Sequence, residues 1–177
     1  MIIIIINCMM SIAVVQNPSE QEIVQYFNPT SFDRSDTRVL IRDIGFGNQV
    51  VLWNIRWWVV HRQQGCSLRP TTSMFANIGM AEATDVIDEM MTLLANLAMR
   101  PICILGACST NVSNDEYLLL AALHELQKGE DRSAKQIMGR LLQGAMRCLY
   151  IRSASALVDC LDCADLRLNK IPHLHIV

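Results

Sequence analysis

The chain has 177 residues, 51% of them hydrophobic and 18% charged, with a formal net charge of −2. That apolar fraction with so little net charge excludes a disordered chain, and a chain of this length buries enough surface to fold without disulfide or metal staples. A sequence pI near 6.1 also fails to supply the basic surface with which a dedicated nucleic-acid binder displaces counterions from phosphate.

The charge is unevenly distributed. Residues 29–80 hold six Arg against Asp33, Asp36 and Asp43, whereas residues 81–129 hold seven acids against Arg100 and Lys128. The preferred reading is that solvated faces of successive helices complement one another on folding. A sharper reading gathers Arg56, Arg62 and Arg69 into a basic patch for an acidic partner.

Residues 1–15 contain no charged side chain, and Ile2 to Ile6 form an unbroken run. The stretch is short of the ~20 apolar residues a membrane span needs, and Asn7 and Ser11 interrupt it. It has neither the basic opening nor the small-residue cleavage site of a secretory signal, so the expected compartment is the cytoplasm and no membrane partner is expected. A β-branched run favours a strand. Such a strand must be paired, covered or removed by an internal start at Met9 or Met10, because a lone exposed one invites aggregation. Residues 1–16 therefore form an apolar N-terminal segment, 17–170 a single helical domain and 171–177 a tail.

Within 17–170, Ser19 and Glu22 form a capping box that opens a helix over Glu20–Phe27, which Asn28-Pro29 ends. Arg38–Ile44 suits a helical turn or a short strand. Gly45 and Gly47 punctuate the chain, and Asn48 is placed to cap the next segment. Gln49–Arg62 is strand-like in composition, but its length and Gly65 just beyond it favour a helix. Pro70 opens a further helix through Ile78, ending at Gly79. From Ala81 to Met99, Val86, Ile87, Met90, Met91, Leu94 and Leu97 recur at helical spacing, with Glu82, Asp85 and Glu89 on the outer face. Pro101–Ala107 reads as a short apolar connector, with an extended conformation as an option. Ser113 and Glu116 make a second capping box, opening a helix through Lys128 that Gly129 closes; Tyr117–Leu123 is apolar all round, the mark of a buried helix. Helices over Asp131–Gln143 and about Ala145–Asp165 come next, the last with Leu149, Tyr150, Leu157, Val158, Leu161 and Ala164 inward. The fold class is mainly α, a compact array of five to seven helices with a short N-terminal strand as an optional addition.

Cysteine is the first candidate for chemistry. Cys103 with Cys108, and Cys160 with Cys163, have ligand-like spacings, and four thiolates can close a zinc site or hold an iron–sulfur cluster. Cys160 also falls on the Leu157–Leu161 stripe, no Gly or Pro turn lies between Cys160 and Cys163, and a helix C-terminus opposes a thiolate. Packing as small apolar side chains is the preferred reading, so no cofactor is expected. His173 and His175 sit in the tail, His61 near a helix end, and His124 suits a partly buried structural role.

Trp53 and Trp57 share a helical face beside Arg56, and with Trp58 they offer an aromatic groove or stacking platform for a partner. Core filling competes with this reading. No phosphate loop, nucleophile elbow or His-Glu-x-x-His motif is present, and Gly45-Phe46-Gly47 lacks the third glycine of a dinucleotide fingerprint. By elimination the sequence points to a non-enzymatic interaction or regulatory protein that docks a protein partner or self-associates. A Cys-ligated metal or thiol-redox protein is the alternative. A helix-turn-helix DNA binder using the basic residues of 34–69 is the second alternative.

Overall fold

The computed structural model describes residues 39–63 and 74–171, together with the backbone of two strands, β1 (Ile3–Ile6) and β2 (Ile12–Val15). The chain is mainly helical. Five helices exceed two turns among the described residues: α1 (Phe46–Gln63), α3 (Ala83–Leu97), α4 (Asn114–Gln127), α5 (Asp131–Met138) and α6 (Met146–Cys163). A single-turn α2 (Met74–Asn77), a 3-10 turn at Ile41–Asp43 and a third strand, β3 (Ile102–Leu105), complete the inventory. The helix expected over Glu20–Phe27 lies outside the described residues, as do Arg69, His173 and His175.

The isoleucine run is paired. β1 is the middle strand of a three-stranded antiparallel sheet in the order β2-β1-β3, with Ile4 opposite Val14 on one side and Ile104 on the other. Pro101–Ala107, read from sequence as a connector, supplies β3. Its isoleucines, Ile102 and Ile104, are fully buried.

Helix ends obey the local chemistry. At α4 the Ser113 hydroxyl accepts from the Glu116 amide at 3.1 Å, and the Glu116 carboxylate accepts from the Ser113 amide at 2.8 Å, so two otherwise orphaned donors are satisfied reciprocally. Its far end closes at Gly129, which has φ +79, as the Glu130 amide donates back to the Glu125 carbonyl at 2.9 Å. α6 ends in the same motif with Asp165 in the left-handed position, φ +52. The Leu166 amide donates to Leu161 at 2.8 Å and the Asp165 amide to Asp162 at 3.0 Å. Aspartate tolerates that conformation better than most residues with a Cβ, so this helix stops without a glycine to announce it.

One connected apolar core runs from Val39 to Ile171 and draws on every helix and on β3. α3 packs along α6, and α4 packs against α5, α6 and β3. The apolar stretch of α4 is central as expected, with Leu118, Leu119, Leu120, Ala122 and Leu123 all buried. Three expectations are corrected. Leu149 is 50% exposed and Ala164 is also exposed, because the first turn of α6 and its last residues project beyond the core. α5 stops at Met138 rather than continuing to Gln143: Leu142 instead bridges to Ala98, and the Met99 amide donates to the Leu141 carbonyl at 2.9 Å. Asn48 does not cap α1. The helix already starts at Phe46, and the Asn48 side chain bonds in both directions with the Asn169 backbone, at 3.1 and 2.8 Å.

That last contact belongs to a C-terminal strap, residues 166–171, which crosses the start of α1 and the end of α4. Gln127 donates to the Leu166 carbonyl at 3.1 Å and accepts from the Leu168 amide at 2.7 Å, and His124 Nδ1 donates to the Leu168 carbonyl at 3.0 Å. His124 is thus a half-buried structural histidine.

Candidate interaction surface

α1 carries most of the residues singled out from sequence, and its surroundings sort them. Val50, Val51, Leu52, Ile55, Trp58 and Val59 are buried, and so are the polar Asn54 and Arg56. The rest of the helix includes a stripe at helical spacing: Phe46 is 60% exposed, while Gln49, Trp53, Trp57 and His61 are half-buried, as are Val60 and Arg62. Along it the Trp53 and Trp57 rings meet at 5.2 Å between centroids with a 51° tilt, and Trp57 meets the His61 ring at 5.8 Å. Trp57 Nε1 and His61 Nε2 are buried without a hydrogen-bond partner among the described residues. At the N-terminal end of the stripe a depression of about 130 Å³ opens between α1 and the 3-10 turn, lined by Ile41, Phe46, Gln49, Leu52, Trp53 and Arg56.

Trp58 and Arg56, expected beside Trp53 and Trp57 as contact residues, face inward. Trp58 is 3% exposed, its Nε1 donates to Asp88 Oδ1 at 2.7 Å, and Arg62 lies over its ring at 5.2 Å. Arg62 itself pairs with Asp88 at 3.2 Å. Trp58 therefore ties α1 to α3.

Arg56 is 1% exposed and forms a bidentate pair with the fully buried Glu116, Nε to Oε1 at 2.8 Å and Nη2 to Oε2 at 2.9 Å. Its remaining donors reach the Ser109 carbonyl at 2.7 Å and the Asn111 carbonyl at 2.6 Å. Glu116 also accepts from the Leu105 amide at 3.0 Å. Beside it, Asp115 accepts from Arg100 at 2.5 and 2.9 Å and from the Cys103 amide at 2.7 Å. The carboxylates that open α4 thus fasten α1, β3 and the loop 106–111 to one another. Arg56–Glu116 and Arg62–Asp88 join the basic segment 29–80 to the acidic segment 81–129. The first of these pairs is deeply buried rather than on a solvated face.

The four candidate ligand cysteines are divided between β3 with its following loop and the end of α6. Cys103 sits on β3 and Cys108 is exposed in the loop after it, whereas Cys160 and the exposed Cys163 lie in the last turn of α6. Among the described residues no three His, Cys, Asp or Glu side chains gather in a way that would hold a metal ion. Burial pushes the Cys103 thiol up from 9.0 to about 11, with the Asp115 and Glu116 carboxylates adding to the effect. Burial likewise raises Cys160, helped by Cys163, Glu82 and Asp159. Both shifts favour the neutral thiol over the thiolate that metal binding and disulfide exchange require.

The Cys103 shift has a consequence for stability. A thiol whose folded value exceeds its unfolded one holds its proton more tightly in the native state. Its contribution is therefore intact below pH 9 and is lost as pH rises from 9 toward 11. Cys103→Ala is expected to flatten the fall in chemical-denaturation midpoint across that window; an unchanged pH profile would place the titrating group elsewhere.

Compared with known proteins, the chain matches no family model, no curated protein and no solved structure. Among the described residues no helix is long and apolar enough to cross a membrane. Sequence reasoning missed Phe46 and Gln49, which continue the Trp53–Trp57 spacing backward by two turns and one turn. It also read Glu116 only as the capping partner of Ser113 and gave Asp115 no partner beyond the helix. The capping-box position of Glu116 was the available signal: a carboxylate aimed back toward the residues preceding a helix is also aimed at whatever packs there.

Proposed function

We propose that this is a non-enzymatic helical interaction or regulatory protein, which docks a protein partner or a further copy of itself through the stripe Phe46, Gln49, Trp53 and Trp57. The observation that carries the reading is the line of ring contacts Trp53–Trp57–His61, half-buried along its length and continued by exposed Phe46 at an apolar depression. Large aromatics of this kind provide contact area at little entropic cost and dominate interface energetics when a partner desolvates them.

The alternatives draw less support. Of the basic residues offered to DNA, Arg56 and Arg62 are neutralised by Glu116 and Asp88. A metal or redox role asks for thiolates at Cys103 and Cys160, where the local environment favours thiols.

A photo-crosslinking residue at position 46 tests the reading in cells producing the full chain, with the same group at exposed Arg132 as control. A discrete adduct at 46 is expected, weakened at least tenfold by Trp53→Ala while the helical circular dichroism is kept. No adduct above the control, or one indifferent to Trp53→Ala, would sink the aromatic-stripe reading.

A further inference from the structure

The three-stranded sheet has two edges, and they are finished differently. In a strand, successive residues turn their amide and carbonyl to opposite sides. On β3 the Cys103 amide donates to Asp115 Oδ2 at 2.7 Å and the Leu105 amide donates to Glu116 Oε1 at 3.0 Å. The Cys103 carbonyl accepts from the Ser113 hydroxyl at 2.6 Å. These groups point away from β1, so side chains at the start of α4 occupy the outer edge of β3 and no further strand can add there.

Alternation then fixes the rest. Ile102 and Ile104 exchange hydrogen bonds with Ile6 and Ile4, and Ile3 and Ile5 turn toward Val15 and Ala13. The amides and carbonyls of Ile12 and Val14 are left pointing outward from β2. Among the described residues no strand pairs with that edge. It carries no protecting side chain of its own, since Ile12–Val15 holds no Pro, no Lys and no other charge.

We propose that the outer edge of β2 is a homodimer interface, at which β2 of a second copy adds antiparallel to give a continuous six-stranded sheet. Two features select a second copy over a foreign peptide. An antiparallel pair of identical strands is self-complementary about a two-fold axis, so each copy satisfies the other's donors and acceptors. The segment 1–15 carries no charged side chain, so two copies approach without side-chain repulsion. The interface is distinct from the α1 stripe and does not depend on it.

Sedimentation velocity on the full chain tests the proposal. The wild type is expected at twice the chain mass of 19.9 kDa. Val14→Pro removes only an outward donor, and is expected to yield the monomer with the helical circular dichroism unchanged. Ile12→Pro should do the same, and Trp53→Ala should leave the dimer intact. If both proline variants disturb the fold, amide exchange of the wild type decides: the Ile12 and Val14 amides must be protected in the dimer. A monomeric wild type, a dimer that survives a folded Val14→Pro, or outward amides that exchange as fast as free ones would each overturn it. Loss of the dimer in Trp53→Ala alone would transfer the interface to α1.

Discussion

Arg56→Ala is expected to lower folding stability by about 3–5 kcal/mol, measured as a shift in the urea midpoint, making it among the most damaging substitutions in the chain. The magnitude comes from what is stranded. Glu116 has no exposed surface and would be left with no cation beside it, and the Ser109 and Asn111 carbonyls would lose their donor. Lost volume adds a packing term, since Arg56 is among the largest fully buried side chains. The pair is not worth that much in itself, because bringing two charges out of water costs nearly what their attraction returns. Arg56→Met combined with Glu116→Gln should therefore recover part of the loss, the part due to the stranded charge and the lost volume, while the Ser109 and Asn111 carbonyls stay without their donor. Glutamine removes the stranded charge and keeps an oxygen acceptor for one of the two amides, Leu105 or Ser113, which bond to different oxygens of the carboxylate. A loss below about 1 kcal/mol for Arg56→Ala would mean that Glu116 finds water or another cation.

How legible each part of the fold is in the sequence depends on the range of the interactions involved. α3 and α4 are readable because their signals are local: apolar spacing over Val86–Leu97, and a capping box whose two partners lie three residues apart. For α5, periodicity predicts too long a helix. Its apolar stripe, Ala134, Ile137, Met138, Leu141 and Leu142, keeps helical spacing past the point where the backbone stops being helical. Leu141 and Leu142 are buried by a bridge to Ala98, more than forty positions away, and periodicity cannot distinguish that from another helical turn. The candidate surface divides in the same way. That Trp53 and Trp57 share a face is a consequence of spacing four. That Arg56 between them turns inward depends on Glu116, sixty residues on, and nothing near Arg56 announces it. A lone Arg in an apolar helix flanked by Ile55 and Trp57 is costly to bury unless a carboxylate awaits it. The hint is present in the sequence, but it names no partner.

Gly45-Phe46-Gly47 has no role in the aromatic stripe beyond Phe46 itself, and the strap explains its glycines. A Cβ on Gly47 would fall on the Arg167 carbonyl oxygen, a backbone atom held in place by the neighbouring bonds of the strap to Gln127, His124 and Asn48. A Cβ on Gly45 would meet chiefly the side-chain amide of Asn169, which is exposed and free to swing aside. The two glycines thus predict different outcomes for the same substitution. Gly47→Ala should cost about 1–3 kcal/mol, the range for forcing an extra carbon into a filled site, and Gly45→Ala a fraction of that. Alanine's better helix propensity works the other way at Gly47, by up to about 1 kcal/mol, so it cannot account for a loss there; Gly45 precedes α1 and gains nothing from it. The same variant should expose the strap, seen as faster exchange of the Leu168 and Asn169 amides, which Gln127 and Asn48 otherwise hold. Equal costs at the two positions would mean that the strap does not press on the start of α1. In that case Phe46 and the depression beside it would owe their position to α1 and the 3-10 turn alone.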